Sequence, residues 1–365
     1  MFNKKDILKN CIDKLRIDSQ KLIYHIPRVY DWYCGKNIYP IYLEIGISGA
    51  CNQQCIFCAF DYLKNKSDIV SIKSAKKLIS DVAACGIKSI LYSGEGEPLL
   101  NKDAGGIIAF TKKKGIDVAL STNGVLFTQD MAKDILPYLT WLRVSLDSAS
   151  SKSYKLLHGT EARDFDIVIN NLKSAVKIRN RLKNKCTINV QFLLMPKNYN
   201  DVLHLAPLLE DIGVDCLIVK PYSLHPLSKN NIPIKFEQYA LIRLEEKLVN
   251  SSKGNLKIIF RNKAMQNLKQ GKPYKKCLGL SFAAHISSGG DMYPCNAFIG
   301  NDKFLFGNVY KNSFKNIWNS AKRRKVINFL STRSIVKNCR NACRLDEINR
   351  YLWELKNPHP HVNFI

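Results

Sequence analysis

The sequence predicts an α/β fold: a partial (β/α)6, TIM-like barrel of parallel strands, followed by a smaller α+β domain. Two observations carry this expectation. Short apolar runs alternate with amphipathic stretches as far as about residue 225, the pattern left by repeated strand, helix and crossover units. Beyond that point the rhythm breaks and cysteine-bearing loops take over. A third observation limits the class: no run of about 18 apolar residues is present to span a bilayer.

Taken in order, residues 1–39 form an N-terminal extension without the apolar stretch and small-residue cleavage site of a secretory signal, so the chain reads as cytoplasmic. Six strands are expected in residues 40–225: YLEIGI (42–47), SILYS (89–93), DVALS (117–121), WLRVSLD (141–147), TINVQFLL (187–194) and CLIVKPY (216–222). Helical patterns such as SAKKLISDVAACG and FDIVINNLKSAVKIRNRL separate them. Residues 226–270 read as a helical linker with a helix over 235–250. Residues 271–365 read as the smaller domain, with a hairpin around AAHISSGGDMYPC. In sheets of this kind ligands bind beyond the C-terminal ends of the strands, and the loop CNQQCIFC directly follows the first strand.

The 365 residues contain 56 Lys and Arg against 30 Asp and Glu, a formal charge of +26. That excess suits an anionic partner. It is spread over KKDILKNCIDKLR, TKKKG, RNRLKNK and KRRK without aromatic interleaving, which argues for solvated faces and against nucleic acid. Twelve cysteines in a reducing compartment point to metal ligation where they cluster. Cys85, Cys186 and Cys216 fall on helix or strand patterns and read as small core hydrophobes. Cys11 and Cys34 carry no assignment, and the two histidines of NPHPHVNFI read as terminus rather than ligand set.

Cys51, Cys55 and Cys58 place three thiols within eight residues. Structural zinc takes four protein ligands, so three alone imply a distant fourth or an open position. The spacing CxxxCxxC, with the aromatic Phe57 before the last cysteine, resembles that of the radical S-adenosylmethionine (radical SAM) superfamily. In that family the three thiolates hold a 4Fe-4S cluster whose fourth iron is chelated by SAM. The resemblance extends to SGEGEPLLN, where Gly96, Glu97 and Pro98 match a loop whose backbone meets the methionyl amino group; glycine permits the close approach. A dinucleotide fingerprint would need glycine where Leu99 stands. STNG (121–124) and RVSLDS (143–148) match further, with Ser145, and Gln191 on the next strand, placed to meet the SAM ribose. The resemblance covers roughly residues 40–225.

Cys277, Cys295, Cys339 and Cys343 are separated by 17, 43 and 3 residues. Paired ligands from a hairpin and a later loop suit a fully ligated cluster. With Gly290 and Pro294 ahead of Cys295, they resemble the auxiliary-cluster domain of SPASM and twitch radical SAM enzymes. Full SPASM domains carry seven cysteines and two auxiliary clusters; four favour the twitch form with one, for two 4Fe-4S clusters in all. A structural zinc held by the same four thiolates is the alternative. Seven thiolates and two oxidised cubes remove about three positive charges, leaving a strongly basic protein.

The resemblance implies an enzyme that cleaves SAM reductively and abstracts hydrogen from substrate, fed by an electron donor such as flavodoxin or ferredoxin. Period two points Glu44, Arg143, Asp147, Lys220 and Tyr222 inward as candidate catalytic residues, each also explicable as barrel salt bridging. A fully ligated auxiliary cluster suits electron removal, so the first expectation is an oxidoreductase acting on a hydroxylated small molecule: a sugar, cyclitol or sugar nucleotide. The alternative is a maturase of a ribosomal peptide. A zinc-stabilised nucleic-acid-binding module is the reading outside this chemistry.

Overall fold

The computed structural model describes residue 16 and residues 19–63, 67–230, 232, 238–252, 254–332 and 335–364. Cys11 lies outside them. The strands are β1 (Tyr42–Ile45), β2 (Ser89–Tyr92), β3 (Asp117–Thr122), β4 (Trp141–Ser145), β5 (Thr187–Leu194), β6 (Cys216–Pro221), β7 (Lys257–Phe260), β8 (Ala283–Ile286), β9 (Asp291–Tyr293) and β10 (Gly307–Asn308). They form one sheet in the order β10-β9-β8-β1-β2-β3-β4-β5-β6-β7. From β8 through β7 every neighbouring pair is parallel, and β9 and β10 join antiparallel at one edge. The architecture is a partial barrel with helices outside.

Register decides which residues meet. Leu43, Ile90, Val118, Leu120, Leu142, Val144, Ile188, Val190, Leu217 and Val219 are fully or almost fully buried on the face that packs against the helices. Burying side chains of this size contributes about 1.5–3 kcal/mol each. The opposite face carries Glu44, Ser121, Arg143, Ser145, Asn189, Gln191, Lys220 and His285, brought level by pairs such as Glu44↔His285, Arg143↔Ser121, Arg143↔Asn189 and Ser145↔Gln191. The barrel lumen is therefore polar while its outer layer is apolar.

Local signals start and stop the helices between strands. Ser71, Thr128 and Ser150 cap Ile72–Ala84, Gln129–Ile135 and Ser151–His158 by accepting backbone N–H bonds. The long pattern over 165–182 becomes Arg163–Arg181. Cys85, Cys186 and Cys216 are buried and Cys34 is exposed.

Two features depart from the sequence reading. The segment 226–270 contains a strand as well as helices: β7 adds a seventh parallel strand beside β6. The expected hairpin forms as β8 and β9, and β8 also continues the barrel sheet by pairing with β1. The helix Phe314–Trp318 then packs across the barrel's first helix. Asp81 accepts the Phe314 N–H, and Trp318 Nε1 donates to Ile38 O at 2.7 Å.

Candidate active site

The loop after β1 is held from below by the end of helix Ser151–His158. Gln54 N donates to His158 O and Ile56 N to Leu157 O, both at 3.0 Å. Gly159 ends that helix at φ +58°, where a Cβ would stand 2.9 Å from the Gln54 carbonyl carbon. Gln53 Nε2 donates to the Tyr154 hydroxyl at 2.7 Å, which turns its Oε1 toward His158 Nδ1 at 3.2 Å. His158 Nε2 accepts the Asp147 N–H at 3.4 Å, so the imidazole is the neutral Nδ1–H tautomer. Burial agrees, lowering its pKa to about 3. The ring stacks on Tyr154 at 4.1 Å and meets Phe57 edge-on at 5.3 Å, and Nδ1 lies 3.6 Å from Cys55 Sγ. These contacts orient the cysteine loop. Burial raises all three thiol pKa values, that of Cys51 to about 11, so a cationic ligand would be needed to hold them as thiolates.

A second loop, after β2, closes over the same space. At Gly96 a Cβ would fall against the backbone oxygens of Ala50 and Ser48, the latter at 2.5 Å. Only glycine lets the two loops touch here, and Glu97 N donates to Ala50 O at 2.7 Å. The Glu97 carboxylate is buried and already engaged. Oε1 accepts from Leu99 N at 3.0 Å and Thr122 Oγ1 at 2.7 Å, and Oε2 accepts from Asn123 N at 2.8 Å. It ties the loops after β2 and β3 together. Asn123 in turn donates to Asn52 Oδ1 at 2.7 Å, next to Cys51.

The far wall comes from β6 and from the C-terminal part of the chain. Arg340 Nη2 donates to Ser223 O at 3.4 Å and Ala342 N to Ser223 Oγ at 3.2 Å, which brings the Cys339–Cys343 loop to the cavity. Asn230 Nδ2 donates to Cys58 O at 2.9 Å, while Asp61 Oδ2 accepts from Lys229 N and Asn230 N. Tyr62 donates to Ile299 O at 2.9 Å and stacks on His225. The half-open cavity is ≈ 680 Å³, within the range of small-molecule sites. Cys51, Cys55, Phe57, Cys58, Gly96, Glu97, Ser145, Lys220 and Tyr222 line it.

The other sequence candidates are not among the lining residues. Pro98 is buried at the start of the short turn Pro98–Leu100, and Gln191 is buried beside Ser145. Arg143 Nε donates to Ser121 Oγ at 3.1 Å. Burial raises the Asp147 pKa to about 7 against the opposing effects of the Leu193 N–H and Lys220. Glu44 accepts from Ser93 Oγ and sits 2.8 Å from Arg344 Nη1. His285 lies between two carboxylates, 4.0 Å from Glu44 and 3.7 Å from Glu95, with Glu95 held by Ser288 N and Oγ at 2.7 and 2.8 Å. Burial disfavours the imidazolium, but the two carboxylates prevail and raise its pKa to about 9.

Cys277, Cys295, Cys339 and Cys343 gather on the C-terminal side, near enough that Cys295 is disfavoured as thiolate by burial and then by each of the other three. Asn349 Nδ2 donates to Cys277 Sγ at 3.5 Å and Leu345 N to Cys343 Sγ at 3.3 Å. Arg340 stands beside them, its pKa lowered by burial and raised by Cys343, Cys339 and Cys295. The soft, all-sulfur donor sets and the glycine cradle beside the first of them fit an iron-sulfur cluster with SAM at the open loop and a second cluster here. Sequence reasoning did not single out His158, Tyr154, Glu95, His285, Arg340 or Arg344. Arg344 and Arg340 flank Cys343 and Cys339, which is a usable signal; the others carry none.

Known proteins share these features. The Radical SAM superfamily description matches residues 45–207, and the iron-sulfur cluster-binding domain description, SPASM, matches residues 277–344. A probable GTP 3′,8-cyclase of Saccharolobus solfataricus is 30% identical over 212 residues, 56% of this chain and 63% of that protein's length. The corresponding protein of Methanocaldococcus jannaschii is 30% identical over 230 residues, 62% of this chain and 71% of its own. Streptococcus suis SuiB bound to S-adenosylmethionine superposes with a TM-score of 0.65 at 20% identity, over 98% of this chain and 86% of SuiB. The AdoMet complex of anSMEcpe gives 0.60 at 20% identity, over 80% and 84%. No helix among the described residues is long and apolar enough to cross a membrane. Three thiols and a glycine cradle on one wall of a cavity, four further thiols behind the other, and both family matches lead to one conclusion: the chain belongs to the radical SAM superfamily, whose members are enzymes using SAM and iron-sulfur clusters, and carries a C-terminal SPASM domain.

Proposed function

We propose that Cys51, Cys55 and Cys58 hold the SAM-binding 4Fe-4S cluster, and that Cys277, Cys295, Cys339 and Cys343 hold one auxiliary cluster, two in all. Phe57, the Gly96-Glu97-Pro98 loop, Ser145 and Gln191 surround the cofactor in this reading. When bound, cluster and cofactor supply the one-electron chemistry that takes a hydrogen atom from an unactivated C–H bond. The chain's own part is to fix the cysteine loop through Gln53, Tyr154 and His158, to exclude water, and to place substrate between that loop and Arg340. The enzyme is a cytoplasmic oxidoreductase, re-reduced by a donor such as flavodoxin or ferredoxin.

The substrate is a peptide in this proposal. The observation that carries it is the cavity rim: the segment 223–230, whose ends line the cavity, exposes Leu224 at 46% and Leu227 at 37%. Exposed apolar side chains at a polar mouth suit an extended partner and have no use for a small polar ligand. The shared fold adds support, because SuiB has been solved with its precursor peptide SuiA. Oxidation of a small hydroxylated molecule is the second reading, supported by the nucleotide named for the relatives and by the cationic lumen. Anaerobically reconstituted enzyme, given a short peptide encoded beside its gene, should form 5′-deoxyadenosine and a peptide of altered mass. Sugar nucleotides and cyclitols that stimulate 5′-deoxyadenosine formation, where the peptide does not, would transfer the case to the second reading.

A further inference from the structure

Lys220 and Arg340 are the two cations that line the cavity, and neither has a carboxylate partner among the described residues. Lys220 projects from β6 into the cavity and has no hydrogen bond or ion pair among the described residues. The carboxylates on the wall are already engaged. Glu97 accepts three donors, Asp61 accepts two backbone N–H groups, and Glu95 is held by Ser288 and His285. The positive charges of Arg143, Arg340, Arg344 and Arg261 all act against that of Lys220. Arg344 is neutralised by Glu44. Arg340, the second cation on the cavity wall, has a buried Nε–H with no acceptor. The opposing charge near Lys220 is Asp147, whose Oδ1 accepts the Leu193 N–H at 2.5 Å.

An ammonium that lines a cavity without a partner, among like charges, is a ready seat for an anion. We infer that Lys220, with Arg340 beside it, is the seat for an anionic group of the substrate, a carboxylate or a phosphate. This rests on the reading that substrate enters this cavity. The cofactor's own carboxylate is the competing anion, but its amino-acid end belongs, on the family resemblance, with the loop after β2, and β6 stands four strands away in the sheet. Lys220 is thereby on the side left for substrate.

The test uses reconstituted holoenzyme with SAM and two probes, inorganic pyrophosphate and glutarate, whose affinities are read by calorimetry. Binding of either should weaken about tenfold or more in Lys220→Met and persist in Lys220→Arg, the loss expected for one charge-assisted contact. Arg340→Gln should weaken it too. SAM affinity, measured by equilibrium dialysis, should be unchanged in Lys220→Met. Tighter pyrophosphate would identify the substrate group as phosphate, and tighter glutarate as carboxylate. Equal anion binding by Lys220→Met and wild type would overturn the inference, as would a parallel fall in SAM affinity, which would give the seat to the cofactor. Removing an unpaired cation should not unfold the protein, and an unchanged SAM affinity verifies that. Failure of wild-type enzyme to cleave SAM reductively would instead remove the functional reading and leave the anion result standing.

Discussion

Replacing His285 by asparagine gives a quantitative test of the lumen electrostatics. The histidine is 1% exposed, and Glu44 and Glu95 raise its pKa from 6.5 to about 9. At about 1.36 kcal/mol for each pKa unit, the rise corresponds to about 3 kcal/mol of stability carried by the imidazolium. The folded pKa exceeds the unfolded one, so this contribution is complete below about pH 6.5 and disappears as pH climbs through about 9. Glu95 and Glu44 have the opposite sign. Burial works against their ionisation, but His285, with Arg344 also beside Glu44, holds both pKa values down, so their share is present above the ordinary carboxylate range and lost in acid. For a chain of this length an unfolding entropy near 2.1 cal/mol/K per residue makes 3 kcal/mol about 4 °C. The difference in melting temperature between wild type and His285→Asn should therefore narrow by about 4 °C between pH 6 and pH 9.5. Glu44 keeps Arg344 and Glu95 keeps Ser288, so the variant should fold. A difference that stays constant across that range would refute a charged His285.

Three further outcomes are expected. Reconstituted protein should contain about eight iron and eight sulfide per chain, and four iron with one zinc would replace the auxiliary cluster by a structural ion. Replacing Cys51, Cys55 and Cys58 together by alanine should abolish reductive SAM cleavage, whereas Cys295→Ala should lose product yet retain some uncoupled cleavage; 5′-deoxyadenosine analysis by mass spectrometry separates the two. Gly96→Ala forces a methyl group against two backbone oxygens and should cost about 1–3 kcal/mol along with SAM affinity, so a variant with wild-type melting temperature and SAM binding would contradict the cradle.

The six barrel strands were legible because each is a short apolar run closed by a turn signal, and the observed TINVQFLL strand spans the same residues, 187–194. KIIF at 257–260 was not legible as β7: three apolar residues after a lysine, between two helical patterns, fit either structure by periodicity. The hairpin was visible through its glycines, but its pairing with β1 was not, because register between distant strands leaves no local mark. Period two correctly aimed Glu44, Arg143 and Lys220 at the lumen. What they meet there, His285 and Arg344 for Glu44 and, among the described residues, no partner for Lys220, depends on chain segments far away in sequence. His158 shows the same limit, since a histidine at the end of an amphipathic helix looks like any other polar residue until the cysteine loop is laid on it.

The parallel pairing of β8 with β1 also orders events during synthesis. The strand that delivers the cysteine loop has one neighbour, β2, as soon as the barrel begins to form, and gains the other only when Ile286 has left the ribosome. Until then the backbone of Tyr42–Ile45 is an open sheet edge and Glu44 is without the His285 imidazole, while the Arg344 guanidinium arrives later still. Contacts this distant in sequence form late. Closure of the sheet beside the cysteine loop thus waits for β8, and a nascent chain stalled before it leaves β1 as an unfinished, association-prone edge.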